Sequence, residues 1–191
     1  MKPKQRKCRE KAPGCYGVYW PRSSFQKTCD NPKCAFKKVD RDKAKKEAEK
    51  RAKAARETRE RKEALKTRGD HLKEAQREFN KFIRLLEDDK PCFSCGKHRQ
   101  SYDAGHFKTV KARPDLRFCQ SACHKQCVYC NQHLSGNLHA YREAMEIVYG
   151  IEFTDHLENG PRGYSGWSIE EIKEIKQFYK EEAKIIKRIL S

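Results

Sequence analysis

Cys92-Phe93-Ser94-Cys95 and Cys127-Val128-Tyr129-Cys130 are two Cys-x-x-Cys knuckles with one short stretch of chain between them. Two tight turns of this kind offer four thiolates, the set that tetrahedral Zn²⁺ takes for a structural site. Cys8, Cys15, Cys29 and Cys34 repeat the count at looser spacing and predict a second, four-cysteine zinc module. Cys119 and Cys123, followed by His124, compete for the central metal, but the two-residue gap of Cys127 and Cys130 suits a knuckle better. Between the knuckles, Asp103-Ala104-Gly105-His106-Phe107 presents one imidazole. An unperturbed histidine titrates near neutrality, as a general base for activating water must. On a short strand the same residue type also serves as a plain structural group.

Metal is favoured over disulfides because nothing marks the chain for export. Met1-Lys2-Pro3-Lys4-Gln5-Arg6-Lys7 is too polar to open a secretory leader, and no apolar run reaches the roughly 20 residues a membrane helix needs. Hydrophobic residues make up 36% and charged residues 37%, too little apolar material for one large core. Small stapled units joined by solvated helix fit that composition. The net charge of +17 points to a polyanionic partner, most often nucleic acid.

The elements that position these groups follow from pattern. Residues 1–36 form the N-terminal cysteine module, with 9 Lys+Arg against 2 Asp+Glu and with Tyr16, Tyr19, Trp20 and Phe25 among the thiols. Those aromatics either fill a very small core or stack on unpaired bases. Residues 37–68 are rich in Ala, Glu, Lys and Arg without a stripe of large apolar residues. They predict a basic solvated helix, either a spacer or a rod along a DNA backbone. Residues 69–191 hold the rest. Asp70 is the expected N-cap of a helix whose apolar face carries Leu72, Ala75, Phe79, Phe82, Ile83 and Leu86. Residues 101–107 and Arg117-Phe118-Cys119 read as two short strands, and a helix is expected from Cys127 onward. A further helix runs from about Leu138 to Gly150, and the glycines and proline of 150–166 predict loop. Ser168 and Glu171 form a capping box, with Trp167 and Ile172 as a hydrophobic staple, for a last helix built to pack or to dimerise. The fold class expected is α+β: a small zinc-stapled ββα core with long helices and an N-terminal four-cysteine zinc module.

The order of knuckle, strand with histidine, strand, knuckle and helix resembles the HNH, or ββα-metal, endonucleases. More narrowly, Asp103-Ala104-Gly105-His106-Phe107, Leu116-Arg117-Phe118, His124-Lys125-Gln126-Cys127, Cys130-Asn131-Gln132-His133 and Ser135-Gly136-Asn137 resemble the phage NinG (Rap) recombination proteins. The resemblance covers nearly the whole chain and is most specific from residue 91 to 138. It implies a phage-encoded enzyme of the host cytoplasm that cuts branched DNA, such as Holliday junctions and displacement loops. His106 would be the general base. Mg²⁺ or Mn²⁺ would be held by Asp103 and Asn131, with His133, and less so His124, completing the shell or meeting phosphate. Arg113, Arg117, Lys125 and His124 would contact DNA. Symmetric incision would suit a homodimer, and a phage single-strand annealing protein would be the protein partner.

Two departures stand out. HNH enzymes commonly place an aspartate directly before the histidine, where this chain has Gly105; Asp103 is the substitute available. They also carry an asparagine before the second knuckle that orients the histidine. Here the stretch reads Cys119-Gln120-Ser121-Ala122-Cys123, leaving Gln120, Ser121 or a backbone carbonyl for that task. The rival readings are a non-catalytic double zinc protein that binds branched or single-stranded DNA and assists an annealing protein, and an RNA-binding adaptor.

Overall fold

A computed structural model of the chain describes residues 4–164 and 166–190. It forms two units, Met1–Leu65 and Lys66–Ser191.

In the first unit a two-residue strand, β1 (Arg6–Lys7), pairs antiparallel with β2 (Val18–Tyr19). The core is minute: Cys8, Ala12, Tyr19 and Cys34, backed by Cys15 and Cys29. Helix α1 runs Pro32–Ala64, with the Asn31 side chain capping it through the Lys33 amide and Pro32 in its first turn. The helix expected from residue 37 therefore starts earlier. Cys34 lies in its first turn, so the boundary expected at residue 36 falls inside a continuous helix. An Arg41–Glu10 ion pair further ties helix to module. Cys34 is the one α1 residue that is buried. The rest is a solvated rod roughly 50 Å long at about 1.5 Å per residue. It is supported by exposed pairs such as Lys45–Glu49 and Arg56–Glu60, each contributing at most a few tenths of a kcal/mol.

In the second unit, α2 (Arg68–Leu86) is capped by Thr67; Asp70 is the N3 partner of a reciprocal capping box and not the cap itself. Its buried face is His71, Ala75, Phe79, Phe82 and Ile83, whereas Leu86 is exposed. Strand β3 (Tyr102–His106) pairs antiparallel with β4 (Cys123–Cys127), Gly105 standing opposite His124 and His106 opposite Cys123. The second strand is thus not at 117–119, where two short 3₁₀ turns, Pro114–Leu116 and Gln120–Ala122, bracket Phe118. The helix expected at Cys127 is a single wide turn, Tyr129–His133, closed by a Leu134 amide to Tyr129 carbonyl bond of 3.0 Å. Helix α3 (Leu138–Tyr149) follows. Gly150, at φ +87°, redirects the chain into α4 (Ile151–Asn159), so the loop expected over 150–166 is half helix. The glycines mark the ends of α4 and not its interior. α5 (Ile169–Leu190) starts at the expected capping box, Ser168 and Glu171 bonding each other's amides at 2.7 and 3.2 Å.

The β3–β4 pair is buried between helices. On one face Ala104 and Cys123 pack with Phe79, Phe82, Ile83, Tyr179 and Ala183 of α2 and α5. Beyond the end of the ladder, Phe107 and Ala122 pack with Tyr141, Met145 and Leu157 of α3 and α4. α2 and α5 are also joined by Lys176–Glu74 at 2.7 Å. On α5, Ile172, Tyr179 and Ala183 are buried, whereas Phe178 and Ile189 are exposed. Among the described residues no helix is long and apolar enough to cross a membrane.

Candidate metal centres and the strand that carries His106

Both cysteine quartets close. Within Cys8, Cys15, Cys29 and Cys34, and within Cys92, Cys95, Cys127 and Cys130, the sulfurs all lie within 4.8 Å of one another. The Cys15–Cys29 and Cys95–Cys127 separations are 3.5 and 4.0 Å. Tetrahedral zinc, with Zn–S near 2.3 Å, sets sulfurs about 3.8 Å apart, so both sets fit the ion. Charge argues the same way. Burial pushes the Cys8 thiol up, but the amides of Cys29, Lys11 and Glu10 outweigh it and bring it down to about 6. Burial and the thiols beside it push Cys29 up to about 12, and Cys130 likewise to about 12. One thiolate forms easily in each quartet; four cannot share a site without a cation. Amides stabilise the sulfurs as outer partners: Cys127 N to Cys92 Sγ at 3.2 Å, and Asn137 Nδ2 to Cys130 Sγ at 3.5 Å. Cys119 and Cys123 belong to neither quartet. Cys123 is fully buried against His106.

Strand alternation then distributes the remaining site residues. Tyr102, Ala104 and His106 share the face toward α2, with Cys123 and Lys125 opposite them; Asp103 and Gly105 share the other face with Gln126 and His124. His106 is half-buried. Its Nε2 lies 3.0 Å from the Arg117 carbonyl oxygen, its Nδ1 is 3.6 Å from Cys123 Sγ, and its ring sits 5.9 Å from that of Phe79. A carbonyl only accepts, so Nε2 carries the proton and Nδ1 keeps a lone pair. The group that orients the ring is thus a backbone carbonyl and not a side chain. Burial lowers the His106 pKa below its ordinary value, and the Arg117 carbonyl offsets only part of this, so the ring is neutral at pH 7.

On the opposite face Asp103 Oδ2 accepts from Asn131 Nδ2 at 2.9 Å and from Gln132 Nε2 at 2.8 Å. Asp103 and Asn131 therefore meet through a hydrogen bond, on the strand face opposite His106. With the Asn131 amide turned over, its oxygen and the Asp103 carboxylate could together hold a hard cation; as placed, the carboxylate accepts from two amides. Position 105 has no room for a side chain: a Cβ built there would overlap the Gln126 side-chain oxygen. That side chain is fully buried, its Nε2 donating to Ser94 Oγ at 2.7 Å and to the Gly136 carbonyl. His133 is exposed in the turn that carries Asn131, its ring 5.9 Å from that of Tyr129.

Three of the four residues expected to meet DNA are structural. Arg113 is buried; it chelates Asp115 at 2.8 to 3.2 Å and donates to the Leu157 carbonyl at 2.7 Å, pinning the end of α4. His124 is buried, stacked on Phe93, with Nδ1 2.9 Å from Glu87 and Nε2 3.3 Å from the Tyr149 hydroxyl. Lys125 is buried over the Tyr102 ring and donates to the Asp88 carbonyl at 2.8 Å. Arg117 is half-buried, reaching Gln76 at 3.3 Å. Glu87, which sequence reasoning passed over, anchors this side: it receives His124 and, at 2.6 Å, the Lys125 amide. Burial pushes its carboxyl up, but those two bonds outweigh it and hold it below the ordinary value. Nothing in a lone glutamate at a helix end announces such a role.

The class these features define is a protein with two cysteine quartets that could hold zinc, the second at one end of a two-stranded histidine-bearing ladder between helices. Residues 1–189 match the profile of the family described as "Bacteriophage Lambda NinG protein". The chain is 46% identical to Protein ninG of Escherichia phage lambda over 125 residues, 65% of this chain and 61% of that one. It is 45% identical to Protein ninG of Salmonella phage P22 with the same coverage, and 44% identical to that of Escherichia phage 933W, over 65% of this chain and 62% of the relative. The aligned region thus spans about three-fifths of these curated relatives. No solved structure matches the chain. The chain belongs to the NinG family.

Proposed function

We propose that this protein is a divalent-metal-dependent endonuclease that cuts branched DNA arising in phage recombination, Holliday junctions and displacement loops among them. One observation carries the reading: β3 holds, within four residues, a neutral imidazole fixed by a backbone carbonyl and a carboxylate converging with an asparagine amide. His106 would take the proton from the attacking water through Nδ1. A bound Mg²⁺ or Mn²⁺ would stabilise the leaving oxygen. Asp103 and Asn131 would hold that ion and keep their side chains aimed at one point.

A specific observation favours a second reading, that the protein binds branched DNA without cutting it. His106 and Asp103 lie on opposite faces of β3, and His106 Nδ1 is turned to a buried thiol. The experiment that separates the two is incubation of a labelled four-way junction with the zinc-loaded protein, with and without Mg²⁺. Cutting that needs Mg²⁺ and disappears in His106→Ala supports the nuclease. Junction binding that never yields a nick, at any divalent cation, supports the binding protein.

A further inference from the structure

The first unit spends one aromatic residue on its core and leaves four outside, Phe36 on α1 among them. Tyr19 is buried beside the sulfurs, whereas Tyr16 is 97% exposed, Phe25 87% and Trp20 63%. Large apolar groups left in water on so small a module need a reason. Their placement supplies one. Val18 on β2 and Trp20 just past its end flank the buried Tyr19, and both are exposed. Gly17, at φ +78°, turns the chain between Tyr16 and Val18. Tyr16, Val18 and Trp20 line one open hollow of about 580 Å³ together with Tyr19, Asn31 and Pro32. Asp30 at the rim is already engaged, with Arg22 at 3.0 Å and Gln26 at 3.0 Å.

Charge says what fills the hollow. Residues 1–65 carry 22 Lys+Arg against 9 Asp+Glu, which places +13 of the total +17 on this unit. A surface that is strongly basic and also studded with exposed rings matches a ligand that is anionic along its backbone and flat and aromatic along its side. In a duplex each base face is covered by its neighbours. An unpaired strand offers its faces freely.

We infer that the N-terminal cysteine module is a docking site for an unpaired DNA strand, with bases stacked on Tyr16 and Trp20 and the phosphates met by the surrounding lysines and arginines. The inference rests on the reading above for DNA as the polymer and not on cleavage. It gives the protein a means of telling a branch or displaced strand from plain duplex that is separate from the β3–β4 ladder.

The test uses the full chain, loaded with zinc, with Trp167→Phe so that Trp20 is the remaining tryptophan. Without added divalent cation, an oligo-dT should quench Trp20 emission, and a duplex of equal length at the same salt should leave it unchanged. Tyr16→Ala should weaken oligo-dT binding by about 5- to 100-fold, the loss expected for one stacked base. It should leave duplex affinity as it was, and Tyr16→Phe should bind like the parent. Tyr16 makes no core contact, and the zinc content of each variant checks that the module is intact. Equal quenching by duplex, an oligo-rU bound more tightly than oligo-dT, or unpaired-strand affinity unmoved by both Tyr16→Ala and Trp20→Ala would overturn the inference. Because the readout is binding, loss of cutting in His106→Ala leaves it standing. Conversely, a failed Trp20 response says nothing against cutting.

Discussion

Cys123 stands directly across the β3–β4 ladder from His106, and its sulfur lies 3.6 Å from the imidazole Nδ1. The thiol is fully buried and burial pushes its pKa well up, so it faces the ring as a neutral S–H donor. As the base of the proposed reaction, His106 must release that contact to meet water. Cys123→Ala should therefore leave cutting of a four-way junction equal or faster, while His106→Ala lowers the single-turnover rate by roughly 100-fold or more. A Cys123→Ala protein that binds junctions but has lost all cutting would mean that the thiol belongs to the chemistry.

The lowered pKa of His106 also sets a pH dependence. A base that is neutral down to below its ordinary value gives a cutting rate that is flat above about pH 6.5 and falls only on further acidification. Stability follows the same sign. The unfolded chain takes up a proton at His106 at higher pH than the folded one does. This contribution is complete above about pH 6.5 and is lost as the pH drops from there toward the folded value. Denaturant midpoints of the parent should decline over that interval more steeply than those of His106→Phe.

Gly105→Ala should destabilise the second unit by about 1–3 kcal/mol, because the new methyl overlaps the buried Gln126 amide. Gln126→Ala on its own leaves Ser94 and the Gly136 carbonyl without their donor. The double variant should recover part of the Gly105→Ala loss, a coupling that a double-mutant cycle in urea would measure. Strict additivity would show that the two side chains do not compete for the space.

Chelation should act unequally on the two units. The first has only Cys8, Ala12, Tyr19 and Cys34 as its core, so removing zinc should unfold β1 and β2, leaving α1 without its anchored end. The second keeps two apolar clusters between helices and should hold α2 and α5 together while the β3–β4 end loosens. Hydrogen exchange with and without a strong chelator would resolve the two. Two zinc ions per chain are expected before treatment.

Arg113→Ala should cost stability and not DNA contacts. It strands a buried Asp115, whose carboxyl Arg113 holds down at about 2, and frees the carbonyls at the end of α4. Breaking a buried pair of this kind costs on the order of 3–5 kcal/mol. The loss should appear in thermal melts, whereas substitution of exposed lysines in the first unit should appear in the salt dependence of DNA binding.

What was readable in the sequence was what local pattern controls. Cys-x-x-Cys spacing identified the central quartet against the competing Cys119 and Cys123. The Ser168–Glu171 box marked the start of α5, and the lack of large apolar residues in α1 marked it as solvated. Misreadings arose where tertiary contacts decide. β4 lies at 123–127 because its residues are buried on both faces, which erases the alternation that marks a half-exposed strand. The same burial turned His124 and Lys125 from apparent phosphate ligands into groups held by Glu87 and Asp88. Asp103 meets Asn131 through a hydrogen bond, but His106 is three residues along the strand from Asp103, an odd step that places it on the other face.

The spacing of the two sulfur quartets also orders events as the chain leaves the ribosome. The first is complete once Cys34 has emerged, so the N-terminal module can close while the rest is still being made. The second must wait for Cys130, with Cys92 and Cys95 holding half a site in the meantime. At about 5–20 residues per second that interval lasts a few seconds. Through it the histidine-bearing strand is already synthesised but has neither its partner strand nor its staple.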